Sequence, residues 1–245
     1  VELLVTIALI AILAALLTSS VVHARRSARG VVCINNLRQI TLSSLLYLND
    51  HGYYIRHFYY LPVRTNNFWP DRLYPYTGSK WLDPLYKCPD NKLTNTGGVL
   101  FREGTLSLRG SYDMNSSGSA LSFKYGPLGV GEIWVPSSNP DPNVGTTPVR
   151  DDLVVNPSQT YYYGDASMNV LGYPGSKFDV AAFYQLGNVN SSNISRRLEA
   201  QRHAGRVKVS MCDGHVETKK PSIIYSASAE ERRHWNRDGE PHMGD

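Results

Sequence analysis

Residues 1–26, VELLVTIALIAILAALLTSSVVHARR, set one acidic residue at the head of a continuous apolar run. From Leu3 to Leu17 only Thr6 is polar. A carboxylate disfavours transfer of a helix centre into lipid by about 2.5–3.5 kcal/mol, and such charges usually carry function, so Glu2 is a functional candidate. As a helix the first 22 residues would cover about 33 Å, close to the thickness of a bilayer core. A secretory signal peptide would carry basic residues ahead of the run and a small-residue cleavage site behind it. Here Arg25, Arg26 and Arg29 lie behind the run and Val1 opens the sequence. It reads as a processed N terminus that keeps its apolar segment. The positive-inside tendency would put those arginines, and the polar bulk with them, in the cytoplasm. A removed basic leader would reverse that orientation, and an outward-facing head is the expectation.

The remaining composition excludes several classes. With 245 residues the chain can bury a core in one or two domains. Apolar residues make up 42% and charged residues 19%, which fits neither a disordered chain nor a bundle of membrane helices. A formal net charge of +4 is too mild to argue for a nucleic-acid partner. The 20 glycines, 14 prolines and 16 tyrosines suit a turn-rich β architecture.

Helical patterning continues past the apolar run. In VVCINNLRQITLSSLLYLND (31–50), Ile34, Leu37, Thr41, Leu45 and Leu48 recur three or four apart, with Asn35, Arg38, Gln39 and Ser43 off that stripe. Gly52 can take the left-handed cap conformation. The reading is an α+β chain. One long helix occupies 1–52, its 1–25 half apolar all round and its 26–52 half amphipathic, and a β-rich head with an antiparallel sheet occupies 53–245. The β-branched, serine-containing Thr18–Val22 is the helix's weakest stretch by propensity. GSYDMNSSG (110–118), GVGEIWVP (129–136), TYYYGDAS (160–167) and RVKVSMCDGHVETKK (206–220) are the strand candidates. In the last, Val207, Val209 and Met211 alternate with Lys208 and Ser210, and Asp213-Gly214 marks a hairpin turn. The charged tail from 229 is expected on the surface, as is the loop 136–152.

Three cysteines allow three single pairings. For a head in an oxidising compartment Cys33–Cys88 is the expected bridge, with Cys212 a buried hydrophobe. His203, Asp213 and His215 invite a metal-site reading. Gly214 between the last two favours a turn held by backbone hydrogen bonds. Tyrosine clusters at 53–60 and 161–163 are expected in the core and at subunit contacts, and Asp165 in a turn. Asn115, Asn190 and Asn193 head glycosylation sequons. With no nucleophile–base pair and no phosphate loop, no enzyme is expected.

The opening helix with its single early glutamate resembles the class III signature of type IV pilins and type II secretion pseudopilins. CINNLRQI (33–40), the Cys88-Pro89 pair and RHAGRVKVSMCDGHVE (202–217) resemble prepilin-like proteins with an H-x9-DG motif, here His203 through Asp213-Gly214. WNRDGEPH (235–242) resembles the tail of some of them, whereas 90–200 matches only loosely. The sequence departs from the family where Ser19 stands in place of a frequent proline, and where the residues that should precede Val1 are not present. The resemblance implies a structural subunit that polymerises through Glu2, Leu3, Leu4, Ile7, Ile10, Leu13 and Leu16. Glu2 would pair with the N-terminal amine of a neighbouring subunit, which the family usually N-methylates. Some pseudopilins bind calcium through loop carboxylates, which makes Asp141, Asp151 and Asp152 lesser candidates for calcium, and no other cofactor is expected. The implied partners are further copies in a helical homopolymer, the pilus or type II secretion assembly machinery, and the inner membrane before assembly, with no specific nucleic acid. The implied location is an extracellular filament on a bacterial surface. The alternatives are a minor pseudopilin and a membrane-anchored extracellular binding domain.

Overall fold

A run without proline and with a single glycine, Gly30, has nothing to break it before residue 52. In the computed structural model α1 accordingly extends over Glu2–His51, 50 residues or about 75 Å. Gly52 ends it at φ 75°, its N–H donating to Leu48 O at 2.7 Å, the left-handed closure expected of it. Helix continues through Thr18–Val22. The hydroxyls of Thr18 and Ser20 donate back to the carbonyls of Ala14, Ala15 and Leu17, so they add no outward competition for the backbone. The structure describes residues 2–56, 69–81, 83–90, 99–101, 104–106, 111–115, 118–119, 128–131, 133–134, 146–165, 167–169, 179–181, 203–226 and 228–243.

The two halves of α1 differ in environment. The side chains described between Leu3 and Ala28 are exposed, while from Gly30 onward a stripe is buried. Of the expected stripe, Leu37, Thr41 and Leu48 are buried and Ile34 and Leu45 half-buried. The stripe is rotated from the expected one, because Cys33, Asn36, Ile40, Ser43, Ser44 and Tyr47 are buried too. Ser43, expected on the outer face, is therefore a correction. Ser44 shows why polar residues lie inside: its hydroxyl hydrogen-bonds Tyr163 Oη at 2.7 Å.

Among the described residues ten short strands follow: β1 (Val99–Phe101), β2 (Gly104–Leu106), β3 (Tyr112–Met114), β4 (Ile133–Trp134), β5 (Thr146–Thr147), β6 (Tyr161–Asp165), β7 (Ser167–Asn169), β8 (Asp179–Ala181), β9 (Val207–Met211) and β10 (Val216–Lys219). Four of them form the central antiparallel sheet, in the order β10-β9-β6-β3. The others pair as the two-stranded ribbons β1-β2, β4-β5 and β7-β8. The fold is α+β, as expected. Helix α2 (Trp69–Thr77) lies against α1, and two short helices, α3 (Pro221–Ile224) and α4 (Ala229–Trp235), follow the sheet.

The sheet is covered on both faces. Val207, Val209 and Met211 join Tyr161, Ile224, Tyr225 and Trp235 in one apolar cluster under α3 and α4. On the other face Ser210 meets Thr41 of α1. All five residues of β9 are consequently buried, including Lys208 and Ser210, which a sheet with one wet face would have put in water. Tyr162 and Tyr163 belong to a second, larger cluster with Leu37, Ile40, Tyr54 and Trp69, so these tyrosines do fill the core.

The tail also departs from expectation. Glu231, Arg232, Trp235 and Asn236 are buried. Ser228 caps α4 by accepting from Glu231 N at 3.2 Å, and Trp235 Nε1 donates to Ile224 O at 2.9 Å. Tyr161 Oη is hydrogen-bonded to Glu231 Oε1 and accepts from Lys219 Nζ at 2.6 Å. A charged segment is drawn inward because its charges find partners and one tryptophan supplies the apolar area.

Candidate functional site

Two features stand apart from an ordinary core. The first is the bare half of α1. Leu3, Leu4, Ile7, Ile10, Leu13 and Leu16 are all exposed, from 52% for Ile7 to 76% for Leu3. The segment is long and apolar enough to cross a membrane. Glu2 is the first residue of α1.

The second is a buried group of sulfur, nitrogen and oxygen atoms where α1 enters the head. Cys33 projects from α1, and Cys88 follows the 3-10 turn Pro84–Tyr86. Asp165 ends β6, and His203 sits in the turn before β9. That turn is unusual, with His203, Ala204 and Gly205 successively at φ 45°, 56° and 79°. Such left-handed backbone is costly for residues other than glycine. It places the imidazole inward, with only 2% of the side chain exposed.

His203 Nε2 lies 3.3 Å from Cys88 Sγ and 3.4 Å from Asp165 Oδ2. The ligand atoms of Cys33, Cys88 and His203 all fall within 4.8 Å of one another. Behind the ring, Nδ1 faces Asp90 Oδ2 at 3.5 Å. Asp90 is held in turn by His203 N, which donates to Oδ2 at 2.8 Å, and by Arg29 Nη1 at 3.3 Å from Oδ1. Asn36 ties the Cys88 loop to α1, its Nδ2 donating to Pro84 O and Lys87 O, each at 3.2 Å.

Electrostatics follow from that geometry. Burial works against a charged imidazole, but hydrogen bonds to Asp165 and Cys88 and the Asp165 charge outweigh it, pushing His203 up to about 9. The Cys88 thiol is raised by its contact with Cys33 and by burial.

Both expected bridge cysteines are brought together, with the sulfurs of Cys33 and Cys88 within 4.8 Å and without an S–S bond between them in this structure. A third group, the His203 imidazole, lies against Cys88.

Other expected sites resolve differently. Asp213 and His215 occupy the exposed hairpin turn beyond β9, whereas His203 precedes that strand. Five residues at about 3.3 Å each separate the two ends. One ion cannot join His203, Asp213 and His215. Asp213 serves its own turn, as expected, with Oδ1 accepting from His215 N at 3.1 Å and Gly214 at φ 100°. Asp152 is engaged by Arg150 through two contacts of 3.0 Å, and Asp141 lies outside the described residues. Asn115 is fully buried. Its Nδ2 donates to Tyr161 O and Trp235 O at 3.0 and 2.8 Å, and its Oδ1 accepts from Gly118 N, so the sequon is closed to a glycan. Asn190 and Asn193 lie outside the described residues.

Sequence reasoning did not anticipate Asp90 or the central place of Asp165. Only the three separate landmarks, CINNLRQI, Cys88-Pro89 and the His203 motif, could have pointed to the centre where they meet. A long apolar N-terminal helix with a small antiparallel sheet is compatible with a pilin-like fold. No protein-family model, curated protein or solved structure matches the chain.

Proposed function

We propose that the chain is a structural subunit of a type IV pilus-like filament, assembled through the exposed half of α1. One observation carries this reading. Twelve large aliphatic side chains between Leu3 and Val22 are exposed, on every side of the helix. A helix apolar all round belongs in lipid or inside a bundle. Burying such a side chain from water contributes about 1.5–3 kcal/mol, so the segment cannot rest in solvent.

Before assembly, lipid covers the segment and the head lies outside. During assembly the helices leave the membrane and bundle, while the heads form the surface. Lipid is as apolar as leucine, so bundling gains little from apolar burial alone and depends on close contact and polar pairing. Glu2 supplies that pairing by meeting the N-terminal amine of a neighbour, which sets the register of the incoming subunit. The assembly machinery of a type IV pilus or type II secretion system extracts and stacks the copies.

Electron microscopy of material sheared from cells that make the chain with a pilus assembly system tests this. Long filaments containing the chain are expected. A chain that stays wholly in the membrane fraction under those conditions would overturn the reading in favour of a single-pass anchor. One confined to short tips of filaments built from another subunit would make it a minor pseudopilin.

A further inference from the structure

We propose that Cys33, Cys88, His203 and Asp165 form a closed structural site for one thiophilic divalent cation, with zinc the best match. The proposal is independent of the filament reading. Two sulfurs, one imidazole nitrogen and one carboxylate oxygen make a donor set suited to zinc and its neighbours, and unsuited to calcium or magnesium, which take oxygen ligands. In a tetrahedral zinc site with bonds of about 2.0–2.3 Å, adjacent ligand atoms lie about 3.3–3.8 Å apart. His203 Nε2 already stands 3.3 Å from Cys88 Sγ and 3.4 Å from Asp165 Oδ2. Cys33 Sγ is within 4.8 Å of both Cys88 Sγ and the histidine ligand atom, so these three already converge, and Asp165 adjoins them through His203 Nε2 and would have to turn toward the sulfurs to complete the shell.

The surroundings are those of a metal centre. A ligating histidine usually turns its other nitrogen to a carboxylate, which fixes the ring. Asp90 occupies that position behind His203 Nδ1 and is itself anchored by Arg29 and by His203 N. Asp165 is 1% exposed, and among the described residues its Oδ1 has no hydrogen-bond partner, although buried polar atoms ordinarily find one. Oδ2 accepts from Lys208 N at 2.8 Å, which steers the carboxylate. An ion would satisfy Asp165 and give both thiols a common partner.

All four ligands are buried, and a site with four protein ligands leaves no open position for chemistry. The role is structural. The ligands come from α1, the Cys88 loop, the end of β6 and the turn before β9. The ion would clip the long helix to three separate parts of the head.

The test uses the full chain in mild detergent, kept reduced and stripped of metal, then titrated with cobalt(II) and afterwards with zinc. One cobalt per chain is expected, with thiolate-to-cobalt charge-transfer bands and the strong visible bands of a tetrahedral centre, displaced by one zinc. Cys33→Ser and Cys88→Ser should each lose charge-transfer intensity. Asp90→Asn keeps every ligand and should bind about 10–100-fold more weakly. If the cysteine variants do not fold, the unaltered chain and Asp90→Asn still decide. A folded, reduced chain that takes up no stoichiometric cobalt would overturn the site. So would charge-transfer bands that survive Cys88→Ser, or a chain isolated from its own cells with Cys33 bonded to Cys88 and no metal.

Discussion

The hydroxyls of Thr41 and Ser210 are hydrogen-bonded at 2.7 Å, joining the C-terminal part of α1 to β9 across 169 positions of sequence. Thr41 Oγ1 also reaches Leu37 O at 2.8 Å, and Ser210 Oγ accepts from Tyr163 N at 3.2 Å. This short polar run, with the Ser44–Tyr163 hydrogen bond beside it, holds helix and sheet in one register. Thr41→Val keeps the shape but leaves a buried hydroxyl short of a partner, at a cost of about 1–3 kcal/mol. Ser210→Ala should cost a similar amount, and the double variant less than the two together, since the pair is shared. Denaturant unfolding of the detergent-solubilised chain measures all three. Additive costs would show that the two hydroxyls act separately.

Asn115 joins three backbone groups from three parts of the head. Asn115→Ala removes the side-chain hydrogen bonds to the carbonyls of Tyr161 and Trp235 and to the N–H of Gly118. With about 1–3 kcal/mol for each buried group left unsatisfied, a loss of about 3 kcal/mol or more is expected. Intact-mass and peptide analysis should find no sugar on Asn115 in the protein isolated from its own cells. A glycan there would mean that the segment is open.

Gly118 is irreplaceable for two separate reasons. Its φ of 68° is in the left-handed region, and a Cβ there would sit 2.7 Å from Gly129 N and 2.8 Å from Leu128 C. Both neighbours are backbone and cannot swing aside. Gly118→Ala should therefore unfold much of the head, which proteolysis of the membrane-inserted chain would reveal. Gly52→Ala is the control. It carries only the φ penalty, with nothing within 4 Å of its Cβ, and should cost about 1 kcal/mol.

These contacts mark where the sequence was legible. The division of α1 followed from periodicity alone: Leu3–Leu17 has no polar face, and Leu37, Thr41 and Leu48 recur on one. The Asp213-Gly214 turn and the strand before it were equally plain, because their signals are local. The burial of Ser210 and Lys208 was not legible because alternation leaves the second face open, and here α1 packs on it through Thr41. The tail was misread because its charges outnumber Trp235, yet Trp235 is buried beside Tyr161, with ring centroids 5.4 Å apart. The thiol–imidazole centre had no spacing to betray it. Its members at 33, 88, 165 and 203 meet only once the sheet has formed.

Trp235 is the anchor of the C-terminal layer, so truncating it tests whether that layer is integral to the head. It meets Tyr161 edge to face and Tyr225 at a tilt, and its Nε1 donates to Ile224 O. Trp235→Ala should cost about 3–5 kcal/mol. Trp235→Phe should cost less, since most of the area remains and only the hydrogen bond to Ile224 is lost. Loss of near-ultraviolet circular dichroism at lower temperature reports the change. Equal melting of the alanine variant and the unaltered chain would place the tail outside the cooperative unit.

The final prediction concerns Glu2, first in the helix and the single charged side chain ahead of a run in which only Thr6 is polar. In a dry bundle a carboxylate is stable only beside a cation, and a lone ammonium is as costly as a lone carboxylate. Each added subunit would satisfy both at once, but only at one axial position, where its amine meets the Glu2 of a neighbour. Glu2→Ala leaves the amine without its partner. Breaking a buried pair from one side costs about 3–5 kcal/mol, which corresponds to roughly 100-fold or more in the equilibrium for adding a subunit. Synthesis and membrane insertion should be unchanged, because the apolar run is intact and even loses a charge that disfavours insertion. Fractionation should therefore find Glu2→Ala in the membrane at normal abundance, while sheared filaments fall by two orders of magnitude. Normal filament yield would reject pairing as the source of register, and would leave helix-to-helix contact as the whole of the assembly force. Loss from the membrane as well as from filaments would instead assign Glu2 to recognition before assembly.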